Sequence, residues 1–195
     1  MQVTPVIIDH RDSFTYNIVE LIRRISGRSP VVIPYSNIHR YSPEDFSHII
    51  LSPGPGHPEE YPESIHWWEA AGGEKPLLGI CLGHQLIARH FGGPLYRMPT
   101  PVHGVPVPVK HTGKSRLYRN IPETFTAGLY HSWAVDRKAF PEVLRITSSG
   151  LTGNIIMSLE HRNLPAFGLQ YHPESFMTTH GETLIRNFLS IRSKP

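Results

Sequence analysis

The strongest constraint on the fold is a G-x-C-x-G turn that directly follows an apolar run. The run at residues 77–80 ends at Cys81, the only cysteine of the chain, and Gly79 and Gly83 stand two positions to either side of it. A helical pattern begins at Leu82. This order predicts a strand that passes into a helix through a tight turn, because side chains at the two glycines would collide with neighbouring backbone.

A cysteine at the tip of such a turn is placed for nucleophilic chemistry. The turn predicts that its sulfur is exposed at the carboxyl end of a sheet, next to the N-terminus of the following helix. The partial positive charge of that terminus favours the thiolate over the thiol. A small buried cysteine at a strand end is the alternative reading of Cys81. The flanking glycines favour the nucleophile.

The first half of the chain alternates short apolar runs with helical patterns. Buried strands are predicted at residues 6–9, 31–34, 48–52 and 77–80. Helices are predicted from a cap at Ser13 to a stop at Gly27, at residues 63–71 and 82–91, and at residues 183–191 near the end of the chain. Strands alternating with helices imply a parallel sheet that helices cover on both faces.

The second half of the chain lacks this regular alternation of strands and helices. Residues 98–109 are rich in proline and valine, and no element is assigned to them. Meandering strands, some of them antiparallel, are predicted at residues 125–130, 143–147, 155–160 and 166–171. We therefore predict an α/β fold in one domain over residues 1–195: a mostly parallel central sheet with helices on both faces and a smaller antiparallel element.

Composition narrows the function classes. The net charge is only +3, and the basic residues are scattered without interleaved aromatics, so nucleic-acid binding is not expected. No signal peptide or membrane-spanning stretch is predicted, and a single cysteine excludes an intrachain disulfide, which agrees with a cytoplasmic protein. The thirteen histidines show no metal-ligand spacing, so we expect no metal.

The motif YHPES at residues 171–175 offers the base that a cysteine nucleophile needs. A strand is predicted to end at His172, and an extended backbone would place the Glu174 side chain on the same side as the imidazole. A carboxylate there fixes the tautomer of the imidazole and stabilises its protonated form. Alone, this triplet is more typical of a surface histidine before a turn. Its combination with Cys81 favours catalysis.

The motif LSPGPG at residues 51–56 follows another predicted strand. By itself, the alternation of proline and glycine predicts only a rigid turn. Beside a cysteine nucleophile, such a turn can direct a backbone N–H at the oxyanion of a tetrahedral intermediate. The N–H of Leu82 would be the second donor.

LSPGPG (51–56), GICLGHQ (79–85) and YHPES (171–175), in this order, resemble the three signatures of the class I (triad) glutamine amidotransferases. DSFTYN at 12–17 and YHS at 130–132 narrow the resemblance to the amidotransferase subunit shared by anthranilate synthase and aminodeoxychorismate synthase. The resemblance extends from residue 6 to about residue 190 and implies the flavodoxin-like fold of that family.

The resemblance also implies roles. Cys81 would be the nucleophile, His172 the general base and acid, and Glu174 its partner, with Gly54 and Leu82 forming the oxyanion hole. The positions implied around the substrate L-glutamine are Gly54, Pro55, Gly56, Gln85, Ser132 and Trp133. No cofactor is implied. Ammonia would pass to a separate chorismate-binding synthase subunit in a hetero-oligomer, and that subunit would decide between anthranilate, aminodeoxychorismate and a related chorismate product.

The chain departs from the family pattern at several positions. Members usually carry asparagine where this chain has His10, lysine at Val105, arginine at Leu129, leucine at Trp133, and a small residue with glycine at 61–62. The lysine and arginine positions resemble loops facing the synthase and the glutamine site. Two other functions stay open: an inactive regulatory homologue that only binds the synthase, and a thiol hydrolase for another substrate. The intact triad argues against the first, and the glutamine-site motifs argue against the second.

Overall fold

A computed structural model describes residues 4–192. Within that range nine β-strands are present: β1 (Pro5–Asp9), β2 (Val31–Pro34), β3 (His48–Leu51), β4 (Leu77–Ile80), β5 (Leu95–His111), β6 (Thr124–Val135), β7 (Leu144–Gly150), β8 (Ile156–His161) and β9 (Ala166–Leu169). The described part of the chain also contains four α-helices: α1 (Thr15–Ser26), α2 (Glu63–Glu69), α3 (Leu82–His90) and α4 (Gly181–Leu189).

The nine strands of residues 4–192 form one sheet in the order β2-β1-β3-β4-β9-β8-β7-β5-β6. The first five strands in this order pair in parallel. Because the carboxyl ends of parallel strands meet at one edge, the segments that follow β3, β4 and β9 lie side by side there. The three sequence motifs are therefore brought together by the topology alone.

Helices cover both faces of the parallel strands, as predicted. On one face, Ile7 of β1 and Leu78 of β4 belong to a core with apolar residues of α1 and α4. On the other face, Ile8 and Leu77 belong to a core with α2 and α3. Successive strand residues point to opposite faces, so continuous apolar runs are needed when both faces are buried. This is why β1, β3 and β4 could be predicted from the sequence.

The antiparallel part of the sheet is larger than the sequence analysis predicts. Among residues 4–192, four strand pairings are antiparallel and four are parallel. Most of the difference is β5, which occupies the proline-rich segment left unassigned. β5 pairs with β6 along its length and with β7 only at Val109–His111. Much of its other edge therefore needs no N–H donors, and proline is tolerated there.

The predicted C-terminal end of α1 is confirmed, but its predicted N-terminal cap is not. Gly27 ends the helix in the left-handed conformation at φ 74°, as predicted. The predicted cap at Ser13 is wrong, since no side chain caps the helix and Phe14 takes the cap position. Two carboxylates organise the loop instead: Asp9 accepts hydrogen bonds from the Arg11 N–H and the Thr15 hydroxyl, and the Asp12 carboxylate accepts the Phe14 N–H.

Candidate active site

Cys81 lies at the tip of the turn between β4 and α3, with φ 52° and ψ −98°. Few residues that carry a side chain adopt this conformation, and it is typical of strained functional turns. A Cβ atom on Gly79 would lie 2.2 Å from the carbonyl oxygen of Gly83, and one on Gly83 would lie 2.5 Å from the carbonyl oxygen of Leu51. Both glycines are therefore required by close backbone approach, as the sequence predicts.

The sulfur is more enclosed than expected. The Cys81 side chain is only 7% exposed, so the prediction of an exposed sulfur is wrong. The Cys81 N–H donates to the carbonyl of Leu169 at 2.7 Å, which fixes the turn to β9. The side-chain amide of Gln170 lies 3.7 Å from the sulfur and can donate to it.

His172 and Glu174 form a buried pair next to Cys81. The imidazole Nδ1 donates to the Glu174 carboxylate at 2.7 Å, and the two side chains are 2% and 0% exposed. Nε2 makes no hydrogen bond within residues 4–192, although the Cys81 sulfur is near enough to affect the imidazole. Burial alone would lower the pKa of His172, but the Glu174 charge and the sulfur outweigh it and hold the pKa well above its ordinary value.

The predicted contact between His172 and Glu174 is confirmed, but the extended backbone that was predicted to produce it is not observed. The strand β9 ends at Leu169, three residues before His172. Residues 172–175 form a turn in which the Ser175 N–H donates to the His172 carbonyl. This turn, rather than an extended backbone, returns the Glu174 carboxylate to the imidazole.

A cavity of about 460 Å³ opens at this edge of the sheet, within the range of pockets that bind small molecules. Its lining combines Cys81 and His172 with the loop after β1, the turn after β3 and two residues from β5 and β6: Arg11, Asp12, Ser13, Phe14, Pro53, Gly54, Pro55, Cys81, His103, Tyr130 and His172. Charged, aromatic and backbone groups therefore surround the sulfur.

The structure brings Gly54 and Pro55 into this cavity, in what we call the Pro-Gly turn (residues 53–56). A Cβ atom on Gly54 would lie 2.5 Å from a side-chain carbon of Leu82 and 2.6 Å from Cβ of His10. Only glycine fits there. The N–H of Leu82 belongs to the first turn of α3, where backbone donors have no partner within the helix. That the N–H groups of Gly54 and Leu82 form the oxyanion hole stays a prediction.

The remaining predicted glutamine-site residues lie beside the cavity rather than in its lining. Gln85 is 3% exposed, and its amide donates to the carbonyl of Trp133 at 2.9 Å. The Trp133 ring packs edge-on against His57 with centroids 4.9 Å apart. Gly56 ends the Pro-Gly turn, and Ser132 is half-buried in β6. Their contact with glutamine stays a prediction.

Sequence reasoning missed several residues of the site. Phe14 lies inside the helix predicted from Ser13 and has no predicted role in the site, yet its ring packs against His172 and Tyr130 with centroids 5.0 and 4.8 Å away. Gln170 was not singled out. Its position at the end of a predicted strand, directly before the YHPES motif, was the available signal. For Phe14, the sequence analysis did not predict the loop that the Asp9 and Asp12 carboxylates organise, and it therefore began the helix too early.

No three His, Cys, Asp or Glu side chains among residues 4–192 are arranged to hold a metal ion. No helix in the same range is long and apolar enough to cross a membrane.

The sequence model of the family described as Glutamine amidotransferase class-I matches residues 6–191. The chain belongs to this family. A relative of this amidotransferase, anthranilate synthase component 2 of Thermococcus kodakarensis, is 41% identical over 196 residues, covering 95% of this chain and 97% of the relative. Aminodeoxychorismate synthase of Streptomyces pristinaespiralis is 36% identical over 202 residues, which cover 98% of this chain but only 27% of that protein.

A solved structure supports the same fold. A glutamine amidotransferase of Thermotoga maritima superposes on this class-I amidotransferase with a TM-score of 0.75 at 22% identity, covering 89% of this chain and 77% of that one. The predicted fold class is thereby confirmed.

Proposed function

We propose that this chain is the glutaminase subunit of a chorismate-using synthase, in which Cys81, His172 and Glu174 act as the catalytic triad. The observation that carries the proposal is their convergence: a strained nucleophile turn and a buried, carboxylate-paired imidazole face one cavity. Relatives named as anthranilate synthase component 2 and aminodeoxychorismate synthase support the class of synthase.

In the first half of the reaction, the Cys81 thiolate attacks the side-chain carbonyl carbon of glutamine. The carbonyl π electrons move to oxygen, and the N–H groups of Gly54 and Leu82 stabilise that oxyanion. Removing one such donor typically costs about 3 kcal/mol of transition-state stabilisation. As the intermediate collapses, the C–N bond breaks, and the His172 imidazolium gives its proton to the leaving nitrogen. Ammonia and a γ-glutamyl thioester result.

In the second half, water attacks the thioester. Neutral His172 takes one proton from the water, and the same oxyanion site is used again. Collapse of this intermediate breaks the C–S bond and releases glutamate and the thiolate. Glu174 keeps the Nδ1–H tautomer in place and stabilises the imidazolium that the water proton creates.

The ammonia acceptor belongs to another subunit in this proposal. Exposed apolar side chains lie close in sequence to cavity-lining residues: Tyr16 is 67% exposed, Val105 is 44% exposed and Phe176 is 91% exposed. We place the synthase on this face, where it would receive ammonia without release to bulk water. The same proposal places the complex in the cytoplasm, where a catalytic thiol stays reduced.

One expectation about this surface needs correction. Val105 is available to a partner, but Leu129 is only 2% exposed and packs in the core. Leu129 lies in β6, and a side chain buried in the core cannot contact a docked subunit in this structure. The usual arginine is therefore replaced here by a core residue.

Labelling with a glutamine-like diazo-ketone tests the glutaminase assignment. We expect modification at Cys81 alone, and we expect glutamine to prevent it competitively. Labelling that glutamine does not slow would favour a thiol hydrolase for another substrate. A protein that is not labelled but binds the synthase would be a regulatory homologue.

Co-purification tests the partner. We expect the chain to isolate a chorismate-binding synthase, and the product of that complex from chorismate and glutamine identifies anthranilate or 4-amino-4-deoxychorismate as the output. Isolation of the chain with an unrelated acceptor enzyme would contradict the proposed partner.

A further inference from the structure

A buried hydrogen-bond network lies directly beneath the Pro-Gly turn. Ser52, the residue before the turn, is fully buried, and its hydroxyl donates to the carbonyl oxygen of Pro53 at 2.6 Å. The same oxygen atom of Ser52 accepts the backbone N–H of His10 at 2.9 Å and lies 3.2 Å from the His10 Nδ1. On its other side, the His10 Nε2 lies 2.8 Å from the Ser64 hydroxyl on α2.

The donors and acceptors of this network are consistent with one arrangement. The Pro53 carbonyl can only accept, so the Ser52 proton points to it. The His10 Nδ1 must then be the donor to Ser52, and Nε2 accepts from Ser64. Burial lowers the pKa of His10 to about 4, so the neutral imidazole required by this pattern is the form present at neutral pH.

The network controls a peptide unit that matters for the oxyanion. No cis peptide bond occurs among the described residues, and in a trans peptide the C=O and the N–H point in opposite directions. The Pro53 carbonyl and the Gly54 N–H belong to the same peptide. Holding the carbonyl inward on Ser52 therefore turns the Gly54 N–H outward. We propose that Ser52 and His10 are positioning residues that aim the Gly54 N–H at the substrate oxyanion, an inference that rests on the proposed glutaminase function.

Packing adds to the constraint. Gly54 sits so close to His10 that an added Cβ atom would lie 2.6 Å from the His10 Cβ. The carbonyl of Pro55, the residue after Gly54, accepts a hydrogen bond from the Tyr61 hydroxyl at 3.2 Å, and the Tyr61 ring packs edge-on against His10 with ring centroids 5.0 Å apart. The carbonyls of the two prolines on either side of Gly54 are thus held by the hydroxyls of Ser52 and Tyr61, and His10 contacts both of these side chains.

The test separates oxyanion stabilisation from thiolate formation. Glutamine hydrolysis needs both, whereas alkylation of Cys81 by iodoacetamide needs the thiolate only. For Ser52→Ala in the complex with its synthase, we expect kcat to fall roughly tenfold to a hundredfold, because a misdirected peptide loses part of its stabilisation of the transition state. The KM for glutamine and the alkylation rate should change by less than about twofold.

Two variants at His10 sharpen the test, and one serine serves as the control. His10→Phe keeps an aromatic ring without nitrogen donors and should lower kcat about tenfold, while His10→Asn, which retains an N–H donor, should lose less than about threefold. Ser115→Ala removes another buried hydroxyl, one that accepts the Leu117 N–H outside the cavity lining, and should leave kcat unchanged.

The outcomes distinguish this inference from the function on which it rests. An active wild-type complex with unchanged kcat in Ser52→Ala would overturn the positioning role and leave the glutaminase intact. A parallel fall of kcat and alkylation rate would also overturn it, since the defect would then lie in the thiolate or the fold. A wild-type complex without glutaminase activity would overturn the proposed function and this inference together.

Discussion

The buried imidazole of His172 shows most clearly how single residues set the chemistry. Burial opposes its protonation, but the charge of Glu174 is the leading cause that raises its pKa, and a direct hydrogen bond adds to the effect. The motif made this pair predictable, because two residues in one triplet are close in any turn. The contacts of Phe14 and Gln170 were not predictable, since they depend on how segments that are distant in the sequence meet in space.

Replacing Glu174 tests this pair. Glu174→Gln should lower the pKa of His172, so that less of the protein holds the thiolate–imidazolium pair at neutral pH. The rate of Cys81 alkylation should fall about tenfold for each pKa unit lost. Glutamine hydrolysis should decrease less in Glu174→Gln than in His172→Ala, because a mispositioned base still moves protons.

The control is Glu182→Gln, which removes an exposed carboxylate paired with Arg186 and should leave both rates unchanged. Equal losses of hydrolysis in Glu174→Gln and His172→Ala would show instead that Glu174 acts directly or holds the fold.

At the scale of elements, the position of the turn between β4 and α3 and its need for two glycines were predictable, and β5 was not. The turn depends on local backbone crowding, which glycine spacing reports directly. β5 depends on its neighbours. The Pro108 carbonyl accepts the Leu151 N–H, so the missing N–H of Pro108 faces away from β6 and costs no pairing with it. The four prolines of β5 are typical of a loop, and only the pairing with β6 shows that they are compatible with a strand.

Crowding in the turn predicts the cost of enlarging it. Gly83→Ala should destabilise the protein by at least about 3 kcal/mol, because the new methyl group would lie 2.5 Å from the Leu51 carbonyl oxygen and the backbone must move. Gly113→Ala is the control: it meets no atom within 4 Å and should cost only about 1–2 kcal/mol for its φ of 72°. Urea denaturation measures both. Equal costs would contradict the close approach of α3 to β3.

At the scale of the whole molecule, four buried histidines link stability to pH. Burial is the main cause that lowers the pKa of His10 and His48 to about 4 and that of His84 to about 3, and it also lowers the pKa of the buried His131. Each takes up a proton on unfolding whenever the pH lies between its folded pKa and the ordinary value of 6.5. His172 does the opposite, but below pH 6.5 it is protonated in both states and adds no pH dependence there.

We therefore expect the free energy of unfolding to decrease as the pH falls from about 6.5 to about 5, by up to about 1.4 kcal/mol per pH unit for each histidine. His48→Gln should reduce this slope, because it removes one titrating group whose Nε2 contacts the Ile191 carbonyl. His39→Gln, at an exposed position, should leave the slope unchanged. Urea unfolding across this pH range measures it, and a flat profile for the wild type would show that these histidines are protonated in the folded protein.

The most direct test of the central claim is the Cys81→Ser variant in complex with the synthase, assayed with glutamine and with ammonia as nitrogen source. A serine hydroxyl is not ionised by a histidine base as readily as a thiol, so acylation should slow by orders of magnitude. We predict that glutamine-dependent product formation is lost while ammonia-dependent formation stays at the wild-type rate. Glutamine-dependent turnover near the wild-type rate would contradict the assignment of Cys81 as the nucleophile.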